Sequence, residues 1–359
     1  MKLLVFGANS QLGKELVSLL CDRQIEHATL TTDEVDVLKP KDVVKAVTRI
    51  NPTQLINVST YTNLQKAESD AEAARLCDQV NTEGVTSLAR VCEQLGIPML
   101  HHSSSYVFDG QKKETYTEED ETNPTCRYGR SKWYGERTLR EETGKHIILR
   151  TDWLFSPHRD HYFRQLIENC KERNGKIQVV DNRFSPTPAL DVARAIYGIV
   201  RQVDCNAEVW GTYHYNAMQP VNQDAFVQHV LEEAAKHDKK LEKALGNLDV
   251  ELLPVDAPYI QNSALNCEKI MATFGIKQRS RGAGVVDVIE AIYGVKKKAP
   301  APRPRKVAAV KTPEKQDGKK TARKNSKNTP RKKKPAAKAP RRGKRPARKA
   351  EAQKPSPSS

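Results

Sequence analysis

The 359 residues predict an α/β fold: a doubly wound parallel sheet, a smaller α/β lobe, and a basic, disordered C-terminal tail. Three observations point there. Short apolar runs alternate with helical patterns over the first 150 residues, those runs are continuous rather than alternating, and the pattern stops after Val295. A strand buried on both faces reads as an unbroken apolar run, and strands spaced by helices make a parallel sheet covered on both sides.

The elements follow in order. Strands are expected at 3–6, 28–31, 55–58, 99–103 and 146–150, with helices at 12–20, 43–49, 71–80, 82–95 and 132–142. Residues 1–155 form the first domain. Residues 156–295 are more mixed, with strands expected at 177–180 and 212–215 and helices at 189–202, 224–237 and 285–293. They form a smaller substrate-facing lobe, partly interleaved with the first domain. Residues 296–359 hold 25 Lys or Arg, three acidic residues and ten prolines, with no Leu, Ile, Phe, Tyr or Trp. Such a segment cannot bury enough apolar area to offset its ordering entropy, so disorder is expected.

The net charge of +16 belongs to that tail, because residues 1–295 carry 35 Lys or Arg against 41 Asp or Glu. No apolar run approaches the roughly 20 residues a membrane span needs. The N-terminus lacks the charged head and long apolar middle of a signal peptide, so a cytoplasmic location is expected. Seven dispersed cysteines with no Cys-x-x-Cys pair argue for reduced thiols over a disulfide framework or a zinc site.

In a doubly wound sheet, ligands bind at the carboxyl ends of the strands. Gly7-Ala8-Asn9-Ser10-Gln11-Leu12-Gly13 follows the first expected strand. Glycine there lets the backbone turn sharply towards a pyrophosphate, whose charge the helix N-terminus meets, as in a Rossmann-type dinucleotide site. Ser10 replaces the middle glycine of the usual pattern. After the second strand, Thr31-Thr32-Asp33-Glu34-Val35-Asp36 offers no arginine for a 2′-phosphate and no acid directly at the strand end. NADH and NADPH both stay open.

Tyr128-Gly129-Arg130-Ser131-Lys132 is a Tyr-x-x-x-Lys motif at the start of a helix, and a spacing of four puts both side chains on one face. A neighbouring ammonium is expected to lower the tyrosine pKa from its usual value near 10. His102-Ser103-Ser104-Ser105-Tyr106-Val107-Phe108 lies at the fourth strand's end, where a hydroxyl can hold a substrate carbonyl beside the tyrosine.

With these stand Gln11-Leu12-Gly13, Ile56-Asn57, Tyr61-Thr62, Lys66-Ala67-Glu68, Asn81, Gly135-Glu136, Arg150-Thr151-Asp152-Trp153, Pro186-Thr187 and Asp191. Over about residues 1–293 the chain resembles the extended short-chain dehydrogenases/reductases, and among them the dTDP-4-dehydrorhamnose reductase (sugar-nucleotide-binding) family. The resemblance implies an NAD(P)-dependent oxidoreductase reducing a 4-keto sugar nucleotide, as in dTDP-L-rhamnose biosynthesis. It implies Tyr128 as proton donor, Lys132 as its partner and ligand of the nicotinamide ribose, and Ser104 as the carbonyl-orienting hydroxyl where the family usually has threonine. Gly7, Ser10, Gln11, Leu12 and Gly13 fall on the pyrophosphate loop, Tyr61 and Thr62 near the cofactor, and Ser104, Ser105, Tyr106 and Trp153 around the substrate. Mg2+ and a homodimer are both compatible with the resemblance, though no residue pattern calls for a metal.

The departures from the family gather around the substrate rather than the catalytic three. The family's Thr-Asp-Tyr reads Ser104-Ser105-Tyr106, losing an acid, and its Arg-Thr-Ser-Trp reads Arg150-Thr151-Asp152-Trp153, gaining one. Its Val-Asp-x-Ala-Glu reads Leu64-Gln65-Lys66-Ala67-Glu68, the glycine before Pro186-Thr187 is absent, and Ala257-Pro258 stands where the family has Arg-Pro. The exact substrate stays open. Two other readings stand beside the reductase. One is a non-catalytic or regulatory NAD(P)-binding protein of the same fold. The other is a nucleic-acid-associated protein: the tail's Arg331-Lys332-Lys333-Lys334-Pro335 and Arg341-Arg342-Gly343-Lys344-Arg345-Pro346 resemble linker-histone tails, which bind DNA through phosphate counterion release with little sequence preference.

Overall fold

Six parallel strands make the main sheet of the computed structural model, which describes residues 1–31, 34–159 and 161–295. The first half runs β1 (Leu3–Phe6), α1 (Gln11–Asp22), β2 (His27–Leu30), α2 (Pro40–Ile50), β3 (Gln54–Asn57), α3 (Leu64–Ser69), α4 (Ala71–Asp78), α5 (Gly84–Leu95), β4 (Met99–Ser104), α6 (Arg127–Glu142) and β5 (His146–Thr151). The second runs β6 (Leu154–Phe155), α7 (His161–Glu172), β7 (Lys176–Val180), β8 (Arg183–Phe184), β9 (Thr187–Pro188), α8 (Ala189–Asp204) and β10 (Gly211–His214). It closes with β11 (Val221–Asn222), α9 (Gln223–Ala235), α10 (Lys239–Leu245), β12 (Asp249–Leu253), α11 (Glu268–Phe274) and α12 (Gly282–Ile292).

The strand order is β10-β5-β4-β3-β1-β2. It reverses between β1 and β3, and that reversal opens a crevice at the carboxyl ends of the strands. Along β1 the side chains alternate: Leu3 and Val5 enter a core with α1 and α8, while Leu4 and Phe6 enter one with α2 and α5. All four are buried, which explains the unbroken apolar run.

Several boundaries differ from expectation for a local reason. β2 and β3 begin one residue earlier, on His27 and Gln54. Gln54 is polar yet buried, because its amide donates to the Val200 carbonyl at 3.0 Å. The two helices expected at 71–80 and 82–95 instead join through a π-helical turn, Gln79–Glu83. The catalytic helix starts at Arg127, five residues before the expected 132, with Cys126 as its N-cap. Helices α3, α7, α10 and α11 and strand β12 were not expected; apart from the twelve-residue α7, each spans seven residues or fewer, too short for a periodic pattern to declare itself.

The second half contributes to two cores. Val192, Ile196 and Ile199 of α8, Tyr213 of β10 and Ile270 of α11 pack in the same core as Leu16 and Leu20 of α1. Phe155, Phe163, Phe184, Phe226, Leu231 and Val285 form a separate one. The basic segment expected to be disordered, 296–359, lies outside the described residues, as do Thr32 and Asp33. Among the described residues no helix is long and apolar enough to cross a membrane.

Candidate active site

The glycine loop sits at the end of β1, beside the β1/β3 reversal. Gly7 adopts φ +85°, and a Cβ there would lie 2.4 Å from the Ser59 nitrogen just past β3. Only glycine lets the chain turn so close to the neighbouring strand end. Gln11 and Leu12 open α1, positions whose amide N–H groups have no acceptor within the helix. Leu12's side chain is buried in the first core, and Gln11's amide donates to the Leu154 carbonyl at 3.0 Å, so the two residues offer backbone rather than side chains to a ligand.

Ser10 has a role that a glycine pattern does not suggest. Its hydroxyl accepts from the Gly13 amide at 3.0 Å, making it the N-cap of α1. Serine at this position is a helix-starting residue. Across the loop, Glu34 folds back onto the end of β2, accepting from the Thr31 amide and hydroxyl at 2.8 and 3.1 Å.

Tyr128, Lys132 and Ser104 come together as expected. Tyr128 and Lys132 lie one turn apart on α6, and both are buried. Gly129 makes this placement possible, since a Cβ there would fall 2.2 Å from the Tyr106 carbonyl oxygen. The Tyr128 hydroxyl has hydrogen-bond partners in Ser104, the last residue of β4, and in Thr60. Its ring meets Tyr106 edge-on, with centroids 5.9 Å apart, and packs with Ala67, Cys77 and Cys126.

That shell changes the tyrosine's chemistry from the expectation. Burial pushes the Tyr128 pKa up to about 12, outweighing the Ser104 and Thr60 hydrogen bonds, so the phenol is held protonated. The expected lowering by Lys132 does not appear among the largest influences on it, and the net shift is upward. Lys132 donates instead to the His102 carbonyl at 2.8 Å and stands 3.5 Å from His101 Nε2. Burial brings its own pKa down to about 8 despite the nearby Glu136 carboxylate. One helix face was the right reading; a lowered tyrosine pKa was not. The reason is desolvation, which disfavours both charged forms at once.

Asn81, in the π-helical turn, is fully buried and ties three elements together. Its oxygen accepts from the Tyr61 amide at 2.9 Å and the Thr60 hydroxyl at 3.1 Å, and its nitrogen donates to Ser131 at 2.9 Å. It therefore fixes the Thr60–Tyr61 strand end against the catalytic helix. Thr62, next along, is exposed and accepts from Arg159 at 3.4 Å. Sequence alone marked Asn81 only as the start of a helix and missed Thr60; a polar residue amid an apolar helix face was the available signal.

On the substrate side, Ser105 is fully buried and donates to Asp152 at 3.0 Å. Trp153 packs edge or face against Tyr162, Phe226, Phe155, Phe184 and Phe163, with centroids 5.1 to 6.5 Å away. It is an outpost of the second core as well as a candidate wall. A groove of about 510 Å³ is lined by Gln65, Glu68, Asp256, Ala257 and Tyr259, and Gln65 donates to the Tyr259 hydroxyl at 3.2 Å. Two carboxylates and no guanidinium line it.

Comparisons with known proteins find relatives for the whole of this fold. The family model described as "RmlD substrate binding domain" matches residues 1–293. A dTDP-4-dehydrorhamnose reductase from Aggregatibacter actinomycetemcomitans is 32% identical over 284 residues, 77% of this chain and 94% of that protein. A crystal structure of the Clostridium acetobutylicum dTDP-4-dehydrorhamnose reductase superposes with a TM-score of 0.69 at 26% identity, covering 81% of this chain and 99% of that one. The Bacillus anthracis dTDP-4-dehydrorhamnose reductase, solved in complex with NADP, gives 0.66 at 26% identity over 79% and 96%. A match running from the first strand almost to the last described residue leaves little of the folded chain outside it, and the chain belongs to the RmlD substrate binding domain family.

Proposed function

We propose that this protein is an NAD(P)H-dependent reductase of a 4-keto sugar nucleotide, of the dTDP-4-dehydrorhamnose type. The observation that carries the reading is the buried Ser104–Tyr128–Lys132 set at the carboxyl end of β4. The residues present fit a nicotinamide dinucleotide: a positive-φ glycine turn, free helix amides at Gln11 and Leu12, and a lysine on the tyrosine's face of α6. Gly7, Ser10, Gln11, Leu12 and Gly13 would hold its pyrophosphate, Tyr61 and Thr62 would lie along it, and Lys132 would reach its ribose. When bound, the cofactor supplies a hydride.

The chain's own residues supply the rest. Ser104 orients the substrate carbonyl beside Tyr128, whose protonated phenol is the form needed to give a proton to the developing alkoxide. Lys132, held by the His102 carbonyl, stabilises charge as that proton leaves. Ser105, Tyr106 and Trp153 border the substrate. Residues 1–155 act as the cofactor domain and 156–295 as the substrate lobe, with α8 and β10 returning to the sheet.

Steady-state oxidation of NADH and NADPH across a panel of keto sugar nucleotides tests the proposal, with turnover expected for at least one. Tight cofactor binding with no reduction of any member would favour the non-catalytic binder. The tail carries a separate proposal from its composition: residues 296–359 hold duplex DNA non-specifically. The full chain should retard DNA at low salt and lose it at high salt, and a chain ending at Val295 should not bind; retention by the shorter chain would place binding elsewhere.

A further inference from the structure

The second lobe is joined to the catalytic strand end through one buried carboxylate. Asp152 follows directly on β5 and is buried. Its Oδ1 accepts from the Ser105 hydroxyl at 3.0 Å, and its Oδ2 accepts from the Ser185 amide at 2.5 Å and the Ser263 hydroxyl at 3.0 Å. The Trp153 amide adds a fourth donor. These donors come from the turn after Ser104, from between β8 and β9, and from the segment before α11.

We propose that Asp152 is a positioning residue for the reductase reaction, whose ionised carboxylate clamps the Ser104–Tyr106 turn to the Ser185 and Ser263 segments and so assembles the substrate side of the site. The inference rests on the proposed reductase activity for its kinetic arm only. A carboxylate offers about four acceptor positions to these donors, whereas a protonated carboxyl loses acceptors and turns a donor of its own against them. The clamp therefore needs the charge.

The surroundings make that charge hard to keep. All four donors are neutral, and burial outweighs them, pushing the Asp152 pKa up to about 6. The titratable side chains about it are Tyr106, which feels the Asp152 charge, and beyond it Cys126, Tyr259 and Tyr128. Tyr106, Cys126 and Tyr128 are all pushed upwards, away from this pH range. His102, against Thr151, is held neutral by burial, pushed down to about 3. On the Ser185 segment, Arg183 gives its guanidinium to the Lys113 carbonyl. Each donor favours the charged form, so protonation below pH 6 gives up these hydrogen bonds even as it relieves the burial of the charge.

The sequence carries a parallel sign. Against the family pattern, position 105 has lost an acid and position 152 has gained one, and here these two side chains are hydrogen-bonded to each other. The acid has crossed from one side of a single contact to the other.

The test uses the full chain with Asp152→Asn and the exchange variant Ser105→Asp/Asp152→Ser. Asp152→Asn should lower kcat by about tenfold or more, the scale of one lost charge-assisted hydrogen bond, and leave NADPH affinity unchanged. It should also abolish the acid limb of kcat near pH 6 and speed amide exchange over residues 183–188 and 262–265. The exchange variant should recover protection and most of the turnover. Unchanged exchange at both segments in Asp152→Asn, or an acid limb that survives it, overturns the proposal. If wild type reduces no keto sugar nucleotide, the reductase reading fails alone, and the exchange measurements still decide the clamp.

Discussion

Two carboxylates are buried at neighbouring ends of the central sheet, and their surroundings treat them in opposite ways. Glu136 is on the catalytic helix itself, one turn beyond Lys132, and accepts from Arg150 at 2.7 and 2.8 Å and from Arg140 at 2.8 Å. Asp152, directly after β5, accepts only from hydroxyls and amides. The Arg150 charge leads the forces that overcome burial and bring Glu136 down to about 2, whereas Asp152 rises to about 6. Dipoles alone do not repay the cost of taking a charge out of water; guanidinium groups do. The floor of the site is thus ionic and pH-resistant, and its rim is dipolar and pH-sensitive.

The largest expected effect lies outside both carboxylates. Tyr128→Phe should cut turnover by about 10²-fold or more while cofactor titrations stay unchanged, because the ring and its packing remain. Retention of most of the rate would remove Tyr128 as the proton donor. Next, Glu136→Ala should cost about 3–5 kcal/mol in urea unfolding, since it leaves two guanidinium groups without their buried partner. A loss below about 1 kcal/mol would put Glu136 in the class of surface pairs and end the contrast.

Acid titration separates the two regions directly. Glu136 is depressed in the fold, so its contribution is present above its unfolded value near 4.5 and is lost as pH falls towards 2. Asp152 is raised, so its charged form is a penalty above about 6 that is relieved as pH falls from there towards 3.8. Protonation of Asp152 thus spares the fold but gives up its acceptors to Ser105, Ser185 and Ser263, so activity should fall between pH 7 and 5 while near-ultraviolet circular dichroism stays native, with unfolding only at lower pH. Loss of both signals together would mean the rim and floor titrate as one. The smallest effect is at the cofactor loop. Ser10→Ala should cost about 1 kcal/mol of stability and Ser10→Gly only about a few tenths, because the residue caps α1. Equal losses would show that the cap contributes nothing.

What the residue order could reveal was local. Tyr128 and Lys132 share a helix face because four residues make about one turn, and no tertiary contact is needed to read that. The β1 run, the glycine at the turn and the strand–helix alternation are equally local, and they carried the fold class. Ser10 was legible too, as a serine opening a helix, but the glycine pattern drew attention from its capping role. The short helices α3, α10 and α11 left no periodic trace to read.

The protonation states belonged to the tertiary structure. Tyr128 sits among Ala67, Cys77, Cys126 and Tyr106, brought from four parts of the chain, and that shell reverses the acidity expected from Lys132 alone. Asp152 meets Ser105 and Ser263 across 47 and 111 residues. A sequence scan sees one acid lost and another gained; only packing puts them in a single hydrogen bond. Sequence by itself determined which groups this protein has and which share a helix or strand. Tertiary structure decided which of them are dry and which charges meet a counter-charge, because desolvation and Coulomb energy depend on distance in space rather than along the chain.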